Sequence, residues 1–316
     1  MRQFLLGLSP LENYSSLEDF DIFCRKNSSL IKMWYTTAPY WFPWISKEKG
    51  AYTHESKDTH KAFASELEII KKYHQKIQLT VNNPNPLYKL GIATYTTKRF
   101  IKEYAPIDSI VALDEFIPSL KKHFPEISLT YSVQNNIPVT KLKNLDKCDT
   151  IVLGMQHIRA IGFMKRLKKE YGVKIELLLN NGGHVLCDKD CAIERGHCDM
   201  LQQKLVDRYG LDWCIAQQTL IPRELDLFPF DLIDYYKISS RPSTLDYMQF
   251  QLDFYSKRLP LHMYNYDFTK GETWATFCGN HPMKKRLQNH IVDVDYVLDV
   301  KSKIWSNILG RKVTVR

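Results

Sequence analysis

The run Thr150-Ile151-Val152-Leu153, then Ile158-Arg159-Ala160-Ile161-Gly162-Phe163-Met164-Lys165-Arg166-Leu167, then Ile175-Glu176-Leu177-Leu178-Leu179 decides the fold. The first and last pieces are short apolar runs of the kind that form strands buried on both faces. Between them apolar residues recur at helical spacing, and Tyr171-Gly172 stops the helix with a residue that enters the left-handed conformation without steric penalty. Strand, helix and strand in this order make a unit whose two strands run parallel, because the helix carries the chain back to its starting end.

The alternation extends in both directions. Strands are expected at Phe4 to Leu8, Leu30 to Tyr35, Ile77 to Val81, Ser109 to Leu113, Ile127 to Ser132, Thr150 to Leu153, Ile175 to Leu179, Trp213 to Ala216 and Tyr236 to Ile238. Helices are expected at Ser16 to Arg25, Thr59 to His74, Leu87 to Tyr104, Leu113 to His123, Ile158 to Tyr171, Cys198 to Tyr209 and Thr244 to Arg258. Repeated βα units that close a parallel sheet predict an α/β fold, a TIM-type (β/α) barrel. The expected organisation is a single domain, with the barrel over 1–267 and a C-terminal helical extension over 268–316 packed on it. No low-complexity linker or internal repeat divides the chain. Thr36 to Asp58 is a long connection rich in aromatic residues, suited either to covering a ligand or to packing on the barrel rim.

With 316 residues, 44% of them hydrophobic and 25% charged, the chain buries a core without help from disulfides or metals. No segment has the apolar length of a membrane span, and the run Phe4 to Leu8 is too short and too soon followed by Pro10 and Glu12 to be a signal peptide. A cytoplasmic protein with reduced thiols is expected, which leaves the seven cysteines free for metal or redox chemistry. The net charge of +9 suits an anionic small molecule or RNA as partner, or simply a solvated surface. Its clusters are Lys165-Arg166-Leu167-Lys168-Lys169, Lys284-Lys285-Arg286 and Arg311-Lys312.

The chemistry-bearing segment follows the strand ending at Leu179. Cys187, Cys191, Cys198, His184 and His197 lie within fifteen residues, and Cys214 comes later. In a barrel the residues just past a strand's C-terminal end form the functional face. Gaps of three and six residues between the cysteines depart from a zinc ribbon but let several thiolates reach one soft cation. Three of these cysteines with Cys214 or Cys278 suit a 4Fe-4S cluster, and three cysteines with His184 or His197 suit zinc. The plainer alternative is buried thiols, the preferred reading for Cys24 and Cys148.

Around this segment the sequence resembles peptidase family U-32, over Lys174 to Arg258. The resemblance is carried by Asn180, Gly182, Cys187, Cys191, Arg195 and His197, and by Lys237-Ile238-Ser239-Ser240-Arg241 followed by Asp246-Tyr247 and Tyr255-Ser256-Lys257-Arg258. Ser240 stands where the family has glycine, Ala192 where it has proline, and Gly183-His184-Val185-Leu186 displaces the first cysteine. The resemblance implies a TIM barrel with a 4Fe-4S cluster at its mouth, held by Cys187, Cys191, Cys214 and either Cys198 or Cys278. It further implies oxygen-independent hydroxylation or a related modification, on RNA bases or the ring of a quinone precursor, with a small organic acid as oxygen donor.

Lys237 and Arg241 then face the cavity as carboxylate or phosphate ligands, or else pair with Asp231 or Asp234. Arg195, Tyr35 and Trp41 complete the expected substrate-binding set, the aromatics by stacking on a ring, and His197 joins Lys237 and Arg241 as a catalytic candidate. A noncatalytic or scaffold barrel with structural zinc or buried thiols, working with a protein partner, is the alternative from another class. Peptidase activity is a minor one, since neither a Gly-x-Ser-x-Gly elbow nor a His-Glu-x-x-His helix is present.

Overall fold

In the computed structural model eight parallel strands pair edge to edge and close into a barrel. The described residues are 2–8, 16–37, 57–82, 90–104, 106–132, 143–153, 157–179, 204–238, 244–260 and 292–315. The strands are β1 (Phe4–Gly7), β2 (Ile31–Thr36), β3 (Lys76–Thr80), β4 (Ser109–Ala112), β5 (Ser128–Tyr131), β6 (Thr150–Leu153), β7 (Lys174–Leu178) and β8 (Tyr235–Ile238). The ring closes where β1 meets β8, with Phe4 beside Tyr236 and Leu6 beside Ile238.

Each strand sends alternate side chains outward and inward. The outward set, including Phe4, Leu6, Trp34, Ile77, Leu79, Ile110, Ile151, Ile175 and Ile238, merges with the apolar faces of the helices into one core. Leu5, Met33 and Tyr35 belong to a separate small cluster, on the opposite face of their strands. A shared device fixes the strand starts. Asp108, Asp149 and Asp234 stand one residue before β4, β6 and β8, and their carboxylates accept the N–H of Ile77, Leu129 and Ile175 at 2.9, 2.8 and 2.8 Å. These bonds tie β3 to β4, β5 to β6 and β7 to β8 at the N-terminal end of the barrel.

The helices are α1 (Leu17–Lys26), α2 (Lys57–Lys72), α3 (Leu90–Glu103), α4 (Ile117–His123), α5 (Ile161–Tyr171), α6 (Leu211–Gln218), α7 (Leu245–Ser256) and α8 (Val294–Leu309). Ser16, Thr244 and Asp293 cap α1, α7 and α8 with side-chain oxygens that accept a backbone N–H of the first turn. Gly172 ends α5 at φ 67°, as the Tyr171-Gly172 pair predicts. Among the described residues no helix is long and apolar enough to cross a membrane.

Trp213 to Ala216, expected as a strand, lies in α6. So short an apolar run has no periodicity that separates strand from helix. Two local facts favour the helix. Gly210, at φ 84°, ends the helical stretch 204–209 and lets a new helix begin at Leu211, and distant cations hold its last carbonyls. Leu220, just past α6, donates its N–H to the carbonyl of Leu179 at 2.9 Å, which brings the end of α6 to the C-terminal end of β7. From there the chain runs down the outside of the barrel to β8, and α8 packs over this stretch, with the Trp305 ring 5.0 Å from that of Phe228.

Candidate functional site

The barrel lumen is polar at mid-height. Lys237 on β8 donates to Glu176 Oε1 on β7 at 2.7 Å and to Gln78 Oε1 on β3 at 3.2 Å. The Gln78 amide in turn donates to Glu176 Oε2 at 3.2 Å and to Thr130 Oγ1 on β5 at 3.4 Å, and Thr130 shares a bond of 2.9 Å with Ser109 on β4. Strands β3 and β7 are not neighbours in the ring, so a bond between them crosses the interior. Lumens of this architecture are ordinarily filled by branched apolar side chains. Here an ion pair occupies that place, with only 10% of the Lys237 side chain and 1% of the Glu176 side chain exposed.

Tyr35 on β2 completes the floor. Its hydroxyl donates to the carbonyl of Ile238 at 2.9 Å, and the Lys237 ammonium lies 4.3 Å from its ring centre. That ring is thus already engaged by a cation, the arrangement its quadrupole favours. Towards the C-terminal mouth the lining turns to neutral hydrogen-bonding groups. Thr80 follows Gln78 by two residues on β3 and so faces the same interior, and its buried hydroxyl has no hydrogen-bond partner among the described residues. Asn82 donates to Ser132 Oγ at 2.6 Å, leaving the Ser132 proton for another acceptor. An ammonium has three protons, and two of those on Lys237 are taken by Glu176 and Gln78. The arrangement offers charge-assisted and neutral hydrogen bonds to a small polar molecule entering from the mouth.

Of the residues singled out in the sequence, Lys237 and Tyr35 lie together in this lumen, beside Glu176 and Gln78, which were not singled out. The signal was present, because Ile175-Glu176-Leu177 and Ile77-Gln78-Leu79 each set one polar residue between two apolar ones within an expected strand. Lys237 pairs with neither Asp231 nor Asp234. Asp234 instead takes Lys168, at 2.8 Å, on the outer surface. Cys187, Cys191, Cys198, Cys278, Arg195, His197, Arg241 and Trp41 lie outside the described residues, as do His184 and the connection 38–56.

Of the expected metal ligands, Cys214 is described. It sits on α6 rather than on a strand, is buried, and burial pushes its thiol up to about 11. A metal ligand must be a thiolate, which burial in apolar surroundings disfavours. No group of three or more His, Cys, Asp or Glu that could hold a metal ion occurs among the described residues. Cys24 and Cys148 are likewise buried free thiols, as expected, with burial pushing Cys148 up to about 12.

A second charged group lies outside the ring. The fully buried carboxylate of Glu224 accepts from Arg159 Nε at 2.9 Å and Nη2 at 2.8 Å, from Trp305 Nε1 at 2.8 Å, from Lys301 at 2.7 Å and from the Ile221 N–H at 2.8 Å. Burial alone would raise this carboxyl, but Arg159 and Lys301 more than offset it and hold it below the usual range. Arg159 also donates to the carbonyls of Gln217, Ala216 and Thr219, and Lys301 to those of Ala216 and Thr219.

The chain is a TIM barrel with an ion pair in its lumen. No family model matches the sequence, and no curated protein matches it. Among solved structures it is similar to N-acetylneuraminate lyase from Fusobacterium nucleatum, at 9% identity and a TM-score of 0.42, over 96% of this chain and 98% of that one. It is similar to a GH113 beta-1,4-mannanase at 12% identity and a TM-score of 0.40, over 75% and 87% of the two chains. A monomeric dihydrodipicolinate synthase variant is similar at 10% identity and a TM-score of 0.39, over 98% and 97%.

Proposed function

We propose that this chain is an enzyme that works at the C-terminal mouth of its barrel on an anionic small molecule or an RNA base, with Lys237 and Glu176 as the charged floor of the site. The observation that carries the reading is the bond network joining Lys237, Glu176, Gln78 and Thr130 across the lumen. A buried ion pair is weak evidence of stability, since apolar residues of like volume fill such a place at least as well. Charged and amide groups converging inside a barrel, below the end at which chemistry is done, are of the kind that catalysis uses. Lys237 holds an acceptor of the substrate with its remaining proton, and Glu176 keeps the ammonium in place. Thr80, Asn82 and Ser132 supply neutral bonds nearer the mouth.

The finer reading is the oxygen-independent, redox type of modification that the likeness to peptidase family U-32 implies. It places a 4Fe-4S cluster on Cys187, Cys191 and Cys214, with Cys198 or Cys278 as fourth ligand. Such a cluster supplies one-electron chemistry when bound. The residues described here bind and orient the substrate.

The test is the absorption spectrum and the iron, sulfide and zinc content of protein purified without oxygen, beside the Cys187→Ala/Cys191→Ala variant. A broad visible band with about four irons and four sulfides per chain, lost in the variant, is the expected result. Colourless protein with about one zinc, or no metal, sinks the cluster and leaves a barrel whose thiols are structural.

A further inference from the structure

α6 is held at its carbonyl end by side chains from two other parts of the chain. The last carbonyls of a helix have no partner within it and carry the negative end of its dipole. Arg159, from the turn between β6 and α5, reaches the carbonyls of Gln217, Ala216 and Thr219 at 2.8, 3.2 and 2.7 Å. Lys301, from the middle of α8, reaches that of Ala216 at 2.9 Å, and also that of Thr219. Between the two cations stands Glu224, whose carboxylate accepts from both and from the indole of Trp305.

Little of α6's own sequence explains why it stays where it is. It spans eight residues, too few to be stable alone, and Gly210 separates it from the helical stretch before it. Its own anchor to the sheet is the bond from Leu220 to Leu179. Further polar contacts come from Arg159, from Lys301 and from the Tyr255 hydroxyl, which donates to the carbonyl of Leu220 at 3.0 Å, and the apolar cover includes α8, whose Val297, Val300 and Trp305 are buried in the main core.

We infer that α8 is a positioning device for α6: Lys301 and Trp305 close on Glu224 and, with Arg159, grip the carbonyl end of α6, fixing the helix that bears Cys214 against the C-terminal end of β7. This role does not depend on what the barrel binds. It predicts that loosening the grip opens α6 locally while the ring of strands stays closed, because no member of the cluster is a strand residue.

The buried free thiols provide the readout. Cys214 reports on α6, Cys24 on α1, and Cys148 on the entry to β6, and all three are buried. Alkylation of the full-length protein under native conditions, with any iron or zinc first removed by chelator, followed peptide by peptide by mass spectrometry, measures how often each opens. In Lys301→Met, Cys214 is expected to react about tenfold faster than in the parent, with Cys24 and Cys148 unchanged, as local opening requires. Trp305→Phe keeps the ring against Phe228 and removes the N–H to Glu224, and a smaller rise confined to Cys214 is expected. Two results overturn the inference: a Cys214 rate that does not rise in either variant, or a rise shared equally by all three thiols, which is global loosening. Should Lys301→Met not fold, the Trp305→Phe measurement decides alone by the same criteria.

Discussion

Lys237 is worth more to Glu176 than the pair is worth to the fold. Removing one member of a buried pair strands the other charge at low dielectric, whereas removing both and filling the space leaves stability nearly unchanged. Lys237→Met is therefore expected to lower the unfolding free energy by about 3 kcal/mol, measured by urea denaturation. Glu176→Leu/Lys237→Met should recover most of that loss and still bind no substrate. A double variant as unstable as the single one would show that the pair is structural. Glu224 and Lys301 extend the residue-scale argument to pH. The folded state holds the Glu224 carboxyl below its ordinary 4.5, so its contribution is complete above that pH and is lost as pH falls through the lower folded value. Burial presses Lys301 from 10.5 down to about 8, and the repulsion of Arg159 adds to this against the pull of Glu224. At Lys301 the unfolded chain holds more proton than the folded one between about 8 and 10.5, so this group contributes a rise of stability with pH in that window, opposed by the three thiols that burial keeps protonated in the folded chain. Denaturation curves should show the acid limb, and from about pH 8 to 10.5 the stability of Lys301→Met should fall relative to that of the parent.

Among the elements, what the sequence made legible is what local chemistry alone decides. β6 spans Thr150–Leu153 as expected, the other strands match within a residue or two, and Thr244 and Gly172 cap the helices that they were expected to bound. Gly172 has open space where a Cβ would stand, so its only demand is the positive φ. Gly172→Ala is expected to cost about 1 kcal/mol of stability in thermal or urea unfolding, with no change in the site. α6 was not legible, because its cues are distant: Arg159 and Lys301 lie far from it in sequence. The lumen was half legible. Lys237 ends a strand in a recognisable motif, but its partner is fixed by the register of β7 on β8, where Glu176 lies opposite Tyr235 and Leu178 opposite Lys237. The recurring aspartates Asp108, Asp149 and Asp234 gave a further signal, one acidic residue immediately before every second strand from β4 onward, which acquires meaning only when the paired strand is known.

For the molecule as a whole, the division between frame and site follows the two ends of the barrel. At the N-terminal end the aspartates lock strands in pairs, and at the other end Thr80, Asn82 and Ser132 lead from the lumen to the connections that hold most of the expected site residues. The strands follow one another round the ring in chain order, and the ring closes only when the last strand reaches the first, Phe4 beside Tyr236. While a ribosome is still making the stretch between them, β1 has one edge of bare amide and carbonyl groups with no strand to take it. Such an edge pairs readily with other chains. Trp305 covers Phe228 from a helix made later still. A chain ending before β8 keeps that edge open and is expected to aggregate more readily than the full chain, as light scattering of the truncated protein would show.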